Sequence, residues 1–287
     1  MKSSPPSPRS SPDRLRLALR SLSAMSFALL LFGALQGTSL ADLPTLQAAA
    51  REVLPKDRLF PVPFGHGETL TYTLSWLQIE GGEMTLATSR ETTPDGVPVH
   101  RIALTATSND YVSKFYPVKD RYETWVDARD FQPIRFEKHA REGGYSSDEV
   151  EEFDLEKKIA AWRDKRTPLP ERVQDIISTF YFMRTLNFAA GQRVDMEMYS
   201  RGKIYRIQAT VLGREKVETD VGTFDAWKVQ PAMRETESAA DRNKGQLFLW
   251  FSDDDRKMPV MVKTILPIGS VTARLKSASP ATTTAVK

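Results

Sequence analysis

The chain has 287 residues, 40% of them hydrophobic and none of them cysteine, with 40 Lys+Arg against 37 Asp+Glu. That composition excludes a disulfide miniprotein, a thiolate zinc site, a cysteine nucleophile and a wholly disordered chain. A chain of this length buries about three quarters of its unfolded surface and needs no disulfide or metal to hold a core.

The first segment reads as an address. Lys2, Arg9, Arg14, Arg16 and Arg20 face a single acid, Asp13, and an apolar run follows from Met25 to Leu35, then Ser39-Leu40-Ala41. A positive flank, an apolar stretch of about a dozen residues and small residues at the cut predict a secretory signal over residues 1–41. A spanning helix needs about 20 apolar residues. None is therefore expected after cleavage, and no cysteine follows the run to carry a lipid. The leader holds five of the basic residues and one acid, which leaves 35 against 36 and moves the net charge from +3 to −1. The basic pI near 9.0 thus belongs largely to the leader, and nucleic acid is not an expected partner. The expected compartment is the periplasm, where a chain without cysteine escapes oxidative pairing.

After a lead-in over 42–59 the pattern turns to period two. Leu70, Tyr72, Leu74 and Trp76 alternate with Thr69, Thr71, Thr73 and Ser75, which predicts a half-buried strand. Gly81-Gly82 is read as a hairpin or bulged corner before Met84, Leu86 and Thr88. Thr93-Pro94-Asp95-Gly96 is a turn by its chemistry, and Ile102, Leu104 and Ala106 continue beyond it. Val118 to Val126 and Ile134 to Asp154 carry charge at many alternate positions, so one sheet face must be wet, as an antiparallel sheet allows. After Pro168 and Pro170, the positions Val173, Ile176, Ile177, Phe180, Met183 and Phe188 follow a 3.6-residue period. They predict a helix of about four turns, with Gly191 where a left-handed cap would sit. Strands return at Val194, Tyr205, Trp227, Leu247, Val260 and Val271. Glu235 to Lys244 is expected to be a mobile loop and 277–287 a disordered tail.

The fold class is all-β, β-rich with one main helix. We expect a large curved antiparallel sheet, an open or incomplete barrel, in a single domain over 60–276 with the helix over its mouth or side.

The chemistry-bearing signals are sparse. There is no G-x-S-x-G, H-E-x-x-H, P-loop or G-x-G-x-x-G. His66, His100 and His139 stand singly and are read as surface or edge residues, so no metal is expected. Asp253-Asp254-Asp255-Arg256 is read as a tight turn in preference to a calcium loop. The best binding patch is aromatic residues interleaved with charge: Lys114, Tyr116, Arg121, Glu123 and Trp125, an anion-tolerant surface able to stack. Paired acids such as Asp120 and Glu123, or Asp148 and Glu151, would suit a carboxylate hydrolase, although acids on a wet sheet face are ordinarily just solvated.

Several motifs together resemble the bacterial family catalogued as domain of unknown function 3108. They are Phe64-Gly65-His66-Gly67-Glu68-Thr69-Leu70-Thr71-Tyr72 with Trp76 and Gly81-Gly82, then Val112 to Val118, Val173-Gln174-Asp175, Val221-Gly222-Thr223-Phe224, and Trp250 to Asp254 leading to Pro259-Val260. The similarity runs from about Phe60 to Leu275. It implies an exported, envelope-associated β-rich protein of Gram-negative-type bacteria and supplies no catalytic residue. The preferred reading is a non-enzymatic periplasmic module without a cofactor. It would bind an apolar or envelope-derived ligand, with a lipid, an envelope polymer or an envelope protein as partner. The alternative is a carboxylate-dependent hydrolase of an envelope glycan or ester.

Overall fold

The computed structural model describes residues 59–233, 245–267 and 269–279. The leader, the Glu235 to Lys244 segment and residues beyond Ser279 lie outside them.

Eight strands come first: β1 (Thr69–Trp76), β2 (Ile79–Thr92), β3 (Pro98–Ser108), β4 (Lys119–Asp127), β5 (Pro133–Glu142), β6 (Tyr145–Asp154), β7 (Ile159–Trp162) and β8 (Lys165–Pro168). A single-turn helix α1 (Asp110–Ser113) joins β3 to β4, and α2 (Ile176–Met183) follows β8. Six strands complete the described chain: β9 (Arg193–Ser200), β10 (Lys203–Thr219), β11 (Gly222–Met233), β12 (Gln246–Ser252), β13 (Pro259–Leu266) and β14 (Gly269–Ser279). The hydrogen-bonded order is β8-β7-β6-β5-β4-β3-β2-β1-β14-β13-β12-β11-β10-β9. Each half is a meander in chain order, because short turns leave each strand beside its predecessor. The halves join where β14 pairs antiparallel with β1. No ladder joins β8 to β9 among the described residues, so the sheet is open at that seam.

The two-residue period sets the two faces. Leu70 and Tyr72, Met84 and Leu86, and Ile102 and Leu104 are all buried and point inward with one continuous core. The strand at Leu247 to Phe251 is apolar on both faces, as its sequence indicates. Leu247 and Leu249 join that core, while Trp250 donates its indole N–H to Glu215 Oε1 at 2.5 Å on the outer face and lies under Lys228.

Four expectations need correction. The β1–β2 turn is Leu77-Gln78, with φ of 47° and 70°, and not the glycine pair. Gly81 and Gly82 take the bulged alternative: they lie inside β2, where Gly81 is the extra residue at the register shift facing Leu74/Ser75, and a Cβ on Gly82 would fall 2.1 Å from Thr107 O. Those glycines serve close backbone approach. A leucine in the left-handed region costs about 1–2 kcal/mol relative to glycine. The helix is also half the expected length, because Val173-Gln174-Asp175 is extended: Gln174 forms a parallel bridge with Met198 of β9. Its end is Arg184, and Gly191, with φ of 79°, shapes a later turn. β14 extends to Ser279, with Ala278 opposite Leu70, so Ser277 to Ser279 belong to the sheet. His100 is buried, and burial with the nearby Arg90 charge lowers its pKa to about 4.

Asp253 to Arg256 forms the expected turn, Asp254 Oδ1 accepting from the backbone N–H of Arg256 and of Lys257, both at 3.0 Å. Among the described residues no helix is long and apolar enough to cross a membrane.

Candidate functional site

The helix α2 is apolar around much of its circumference and so packs onto the sheet interior. Ile176, Phe180 and Met183 face Ile207, Leu247 and Leu249 across a shallow cleft with room for little more than a water molecule. Thr179 is the polar side chain in its wall, and its hydroxyl is turned away, donating to Asp175 O at 2.6 Å. The wall of this cleft is therefore apolar.

Buried polar groups hold both ends of the helix. At the N-terminus Asp175 accepts from the backbone N–H of Ile177 at 2.7 Å and of Ser178 at 2.8 Å, while Ser178 Oγ accepts from the Asp175 N–H at 2.8 Å. This is a reciprocal cap, and it satisfies donors that would otherwise be orphaned in the core. Thr124 of β4 donates its hydroxyl to the other carboxylate oxygen, which ties the helix start to the sheet. At the C-terminus Arg184 is fully buried. Its Nη1 and Nη2 donate to Glu68 Oε1 and Oε2 at 2.6 and 3.0 Å. Nε donates to Lys257 O at 3.1 Å and Nη2 also to Arg256 O at 3.0 Å. The Phe64 and Tyr181 rings, themselves edge to face at 5.0 Å, both lie against the guanidinium, each centroid 5.1 Å away. A fork so fully engaged is a fixed anchor, since a buried charge is tolerated only when paired and hydrogen-bonded.

A second set of buried ionisable groups lines the open seam. Glu149 and Glu151 share the inward face of β6 with Phe153. Glu151 Oε1 accepts from the Arg201 backbone N–H at 2.7 Å. Glu149 Oε2 accepts from Arg201 Nε at 3.0 Å and from the Trp162 indole at 3.2 Å. Burial pushes the Glu151 carboxyl up to about 8, against the Arg201 N–H that lowers it, with the Asp175 and Glu149 charges adding to the rise. Burial likewise raises Asp175 to about 6, although Thr124 and the helix N–H groups pull it down. At neutral pH the seam therefore keeps a proton on Glu151.

The residues of the binding patch fall in two places. Lys114 is the exposed C-cap of α1. Tyr116 packs over Gly143, and burial with the charges of Glu142 and Asp120 pushes its phenol up to about 12. Arg121, Glu123 and Trp125 instead share the outer face of β4. Arg121 Nε meets Glu123 Oε2 at 2.6 Å, Arg101 closes on the other oxygen, and the Trp125 indole donates to Glu91 Oε2 at 3.3 Å with Arg101 above its ring. Glu123 is thereby covered although it lies on the outer face. The ion pairs continue across β5 and β6 through Arg135, Glu137, Glu152, His139 and Asp148.

The acid pairs suggested for hydrolysis are also separated. Residues three apart on a strand point to opposite faces. Asp120 is inward and held above the ordinary carboxyl range by burial, and Glu123 is outward. Asp148 is an exposed partner of His139 and Arg141, while Glu151 is inward. Neither pair can address one substrate.

The fold and its lid define a class: a single-sheet, β-barrel-like protein open at one seam and covered by a helix pinned at both ends. The chain belongs to the family described as "Protein of unknown function (DUF3108)", which matches residues 70–276. Among solved structures it is similar to the beta-barrel-like protein of domain of unknown function DUF1849 from Brucella abortus, with 10% identity and a TM-score of 0.51, covering 76% of this chain and 98% of that one. That likeness bears on the fold alone. A protein from Bacteroides fragilis named as a candidate exported protein with a YmcC-like fold shares 12% identity over 77% of this chain and 100% of its own, at a TM-score of 0.36. One from Parabacteroides distasonis named as a candidate lipoprotein shares 11% identity over 78% and 100%, at 0.34. No curated protein matches the chain.

Proposed function

We propose that the chain is a non-enzymatic binding module of the bacterial envelope, exported to the periplasm, that takes an apolar or amphipathic envelope-derived ligand under α2. The observation that carries this reading is the apolar cleft between α2 and the inner faces of β9 to β12. Pockets for acyl chains and similar ligands are apolar and concave, with few polar groups. The cleft as it stands is too small for such a ligand, so binding requires α2 to lift. Loosening an anchor of the helix should therefore ease entry.

The experiment is native mass spectrometry of the protein purified from the periplasmic fraction, followed by titration with a fluorescent fatty acid. We expect a co-purifying apolar mass, and saturable binding that Ile176→Trp weakens about tenfold by filling the cleft from its partly exposed side. A ligand-free mass together with no saturable binding in the wild type would end this reading.

A further inference from the structure

One end of the sheet differs from the other. The β1–β2, β3–β4, β5–β6, β7–β8, β9–β10 and β13–β14 connections all lie at the same end. The described chain both enters and leaves at the opposite end, where the Phe60 N–H donates to Ala128 O and Ser279 stands opposite Thr69. The first end is therefore clear of the chain's described entry and exit.

Large apolar side chains stand out on its turns. Ile79 and Tyr111 are each 59% exposed, Leu77 is 51% and Phe115 is 48% exposed. These tips are contiguous. Asn109 Nδ2 donates to Glu80 O at 2.9 Å and the Asn109 N–H to Gly81 O at 2.8 Å, which joins α1 to the first hairpin. The Leu77 N–H donates to Ser270 O at 3.0 Å, which joins that hairpin to β14. Tyr111 and Phe115 stack edge to face, 5.8 Å between centroids. The β1–β2 turn is also the wrong sequence for its geometry. Two successive positive φ values call for Asn-Gly, yet Leu77-Gln78 occupies them. Leu77 rests against Gly269 yet leaves half its surface in solvent while holding a strained left-handed backbone, so its identity points to something outside the chain.

The charge at this end has a sign. Exposed Lys114, Lys119, Arg163, Lys165, Arg166 and Lys203 face only Glu80, Asp110 and Asp164 on the described turns. The opposite end is mixed, its Asp95, Glu156, Asp220 and Asp253 to Asp255 standing with Arg129, Lys157, Lys158, Arg256 and Lys257 on the same turns. We propose that the basic, aromatic end of the sheet docks on an anionic lipid surface, with Leu77, Ile79, Tyr111 and Phe115 entering the headgroup boundary and the lysines meeting phosphate. Aromatic and aliphatic tips flanked by cations are the chemistry of an interfacial anchor. They stand on separate short turns and form no continuous groove, which favours a lipid surface over a folded partner. The inference is independent of what the cleft holds.

The test is co-sedimentation of the chain from Asp42 onward, which contains every described residue, with vesicles of phosphatidylethanolamine and phosphatidylglycerol. Vesicles of phosphatidylcholine alone and a high-salt arm serve as references. The wild type should pellet with the anionic vesicles, and binding should fall about tenfold in phosphatidylcholine or high salt. The double variant Leu77→Asn/Gln78→Gly should melt at the same temperature or higher, because the new turn suits its φ values, and should lose about tenfold in vesicle binding. A Tyr111→Ser/Phe115→Ser variant, altered only at exposed positions, should lose binding likewise. A wild type that stays in the supernatant with anionic vesicles overturns the proposal, as does equal binding by the folded variants. Crosslinking of these tips to a protein, without vesicle binding, would also overturn it.

Discussion

Removing Glu68 tests whether α2 is pinned by charge. In Glu68→Ala the Arg184 guanidinium stays buried and loses two charge-assisted hydrogen bonds, at 2.6 and 3.0 Å. Deleting one partner of a buried pair costs about 3–5 kcal/mol, since the remaining charge is stranded. The carbonyls of Arg256 and Lys257 still accept from the fork, which places the expected loss near the lower bound, about 3 kcal/mol. For a domain of this size that is a fall of about 6–12 °C in melting temperature. Urea unfolding would give the free energy directly, and the paired change Glu68→Leu/Arg184→Met supplies the control. With both charges gone and apolar volume kept, stability should return to within about 1–2 kcal/mol of the wild type. A single variant that loses less than about 1 kcal/mol, or a double variant as unstable as the single, would show that water reaches the guanidinium and that the pair is no anchor.

Because the Asp175 and Glu151 carboxyls are held up to about 6 and about 8, the folded chain keeps protons that the unfolded chain releases. The stability these two carboxyls contribute is complete below about pH 4 and is lost as pH rises to about pH 8, by several kcal/mol in order of magnitude. Neutral buried His100 and the lowered carboxyls Glu137 and Asp148 instead contribute stability that is lost in acid. Glu151→Gln should flatten the upper part of that decline, and urea midpoints that drop in parallel for variant and wild type would count against it. Proton NMR should find His100 titrating near 4 and His139 above its ordinary value, raised mainly by its hydrogen bond to Asp148; the reverse order would refute both placements. Gly82→Ala should cost about 1–3 kcal/mol or more in urea unfolding, because its Cβ meets the Thr107 carbonyl. Gly144→Ala, whose Cβ meets nothing, should stay within about 0.5 kcal/mol, and equal losses would remove the close-approach argument.

Much of the sheet was legible because alternation is a direct image of burial. Leu70 and Tyr72, Ile102 and Leu104, and Leu247 and Leu249 all point where period two sends them. The short strands β7 and β8 left too few residues for a period to show. The helix was overestimated because Val173 has helical spacing but belongs to an extended strap, a tertiary override of a local pattern. The site was less legible. Asp175, three residues before Ser178 and ahead of an apolar run, is a readable capping signal. Glu149 and Glu151 have the parity of Phe153, so their inward direction could have been inferred from β6 alone. Arg184 gave no such sign: a basic residue ending an apolar helix ordinarily reads as a solvated cap. Its partner Glu68 lies 116 residues away, and no local rule connects them.

The open seam explains why the strap is extended. Edge strands expose unpaired backbone groups and invite pairing with another chain. Here β8 is only Lys165–Pro168, with two basic residues and a proline, which makes a poor template. The longer edge β9 is covered along part of its length, where the Gln174 N–H donates to Glu197 O at 2.9 Å and the Tyr199 N–H to Gln174 O at 2.8 Å. Thr167 Oγ1 reaches Gly202 O at 3.2 Å, and Glu151 takes the Arg201 N–H, so single contacts stand where a ladder would close a barrel. The residue after Gln174 is Asp175, the cap of α2. The covering of the sheet edge and the seating of the helix therefore share three consecutive residues, Val173 to Asp175. Lifting α2 at its N-terminus strains the same strap that shields β9, and lifting its C-terminus breaks the Arg184–Glu68 anchor, so both ends of the helix resist the movement that would open the cleft.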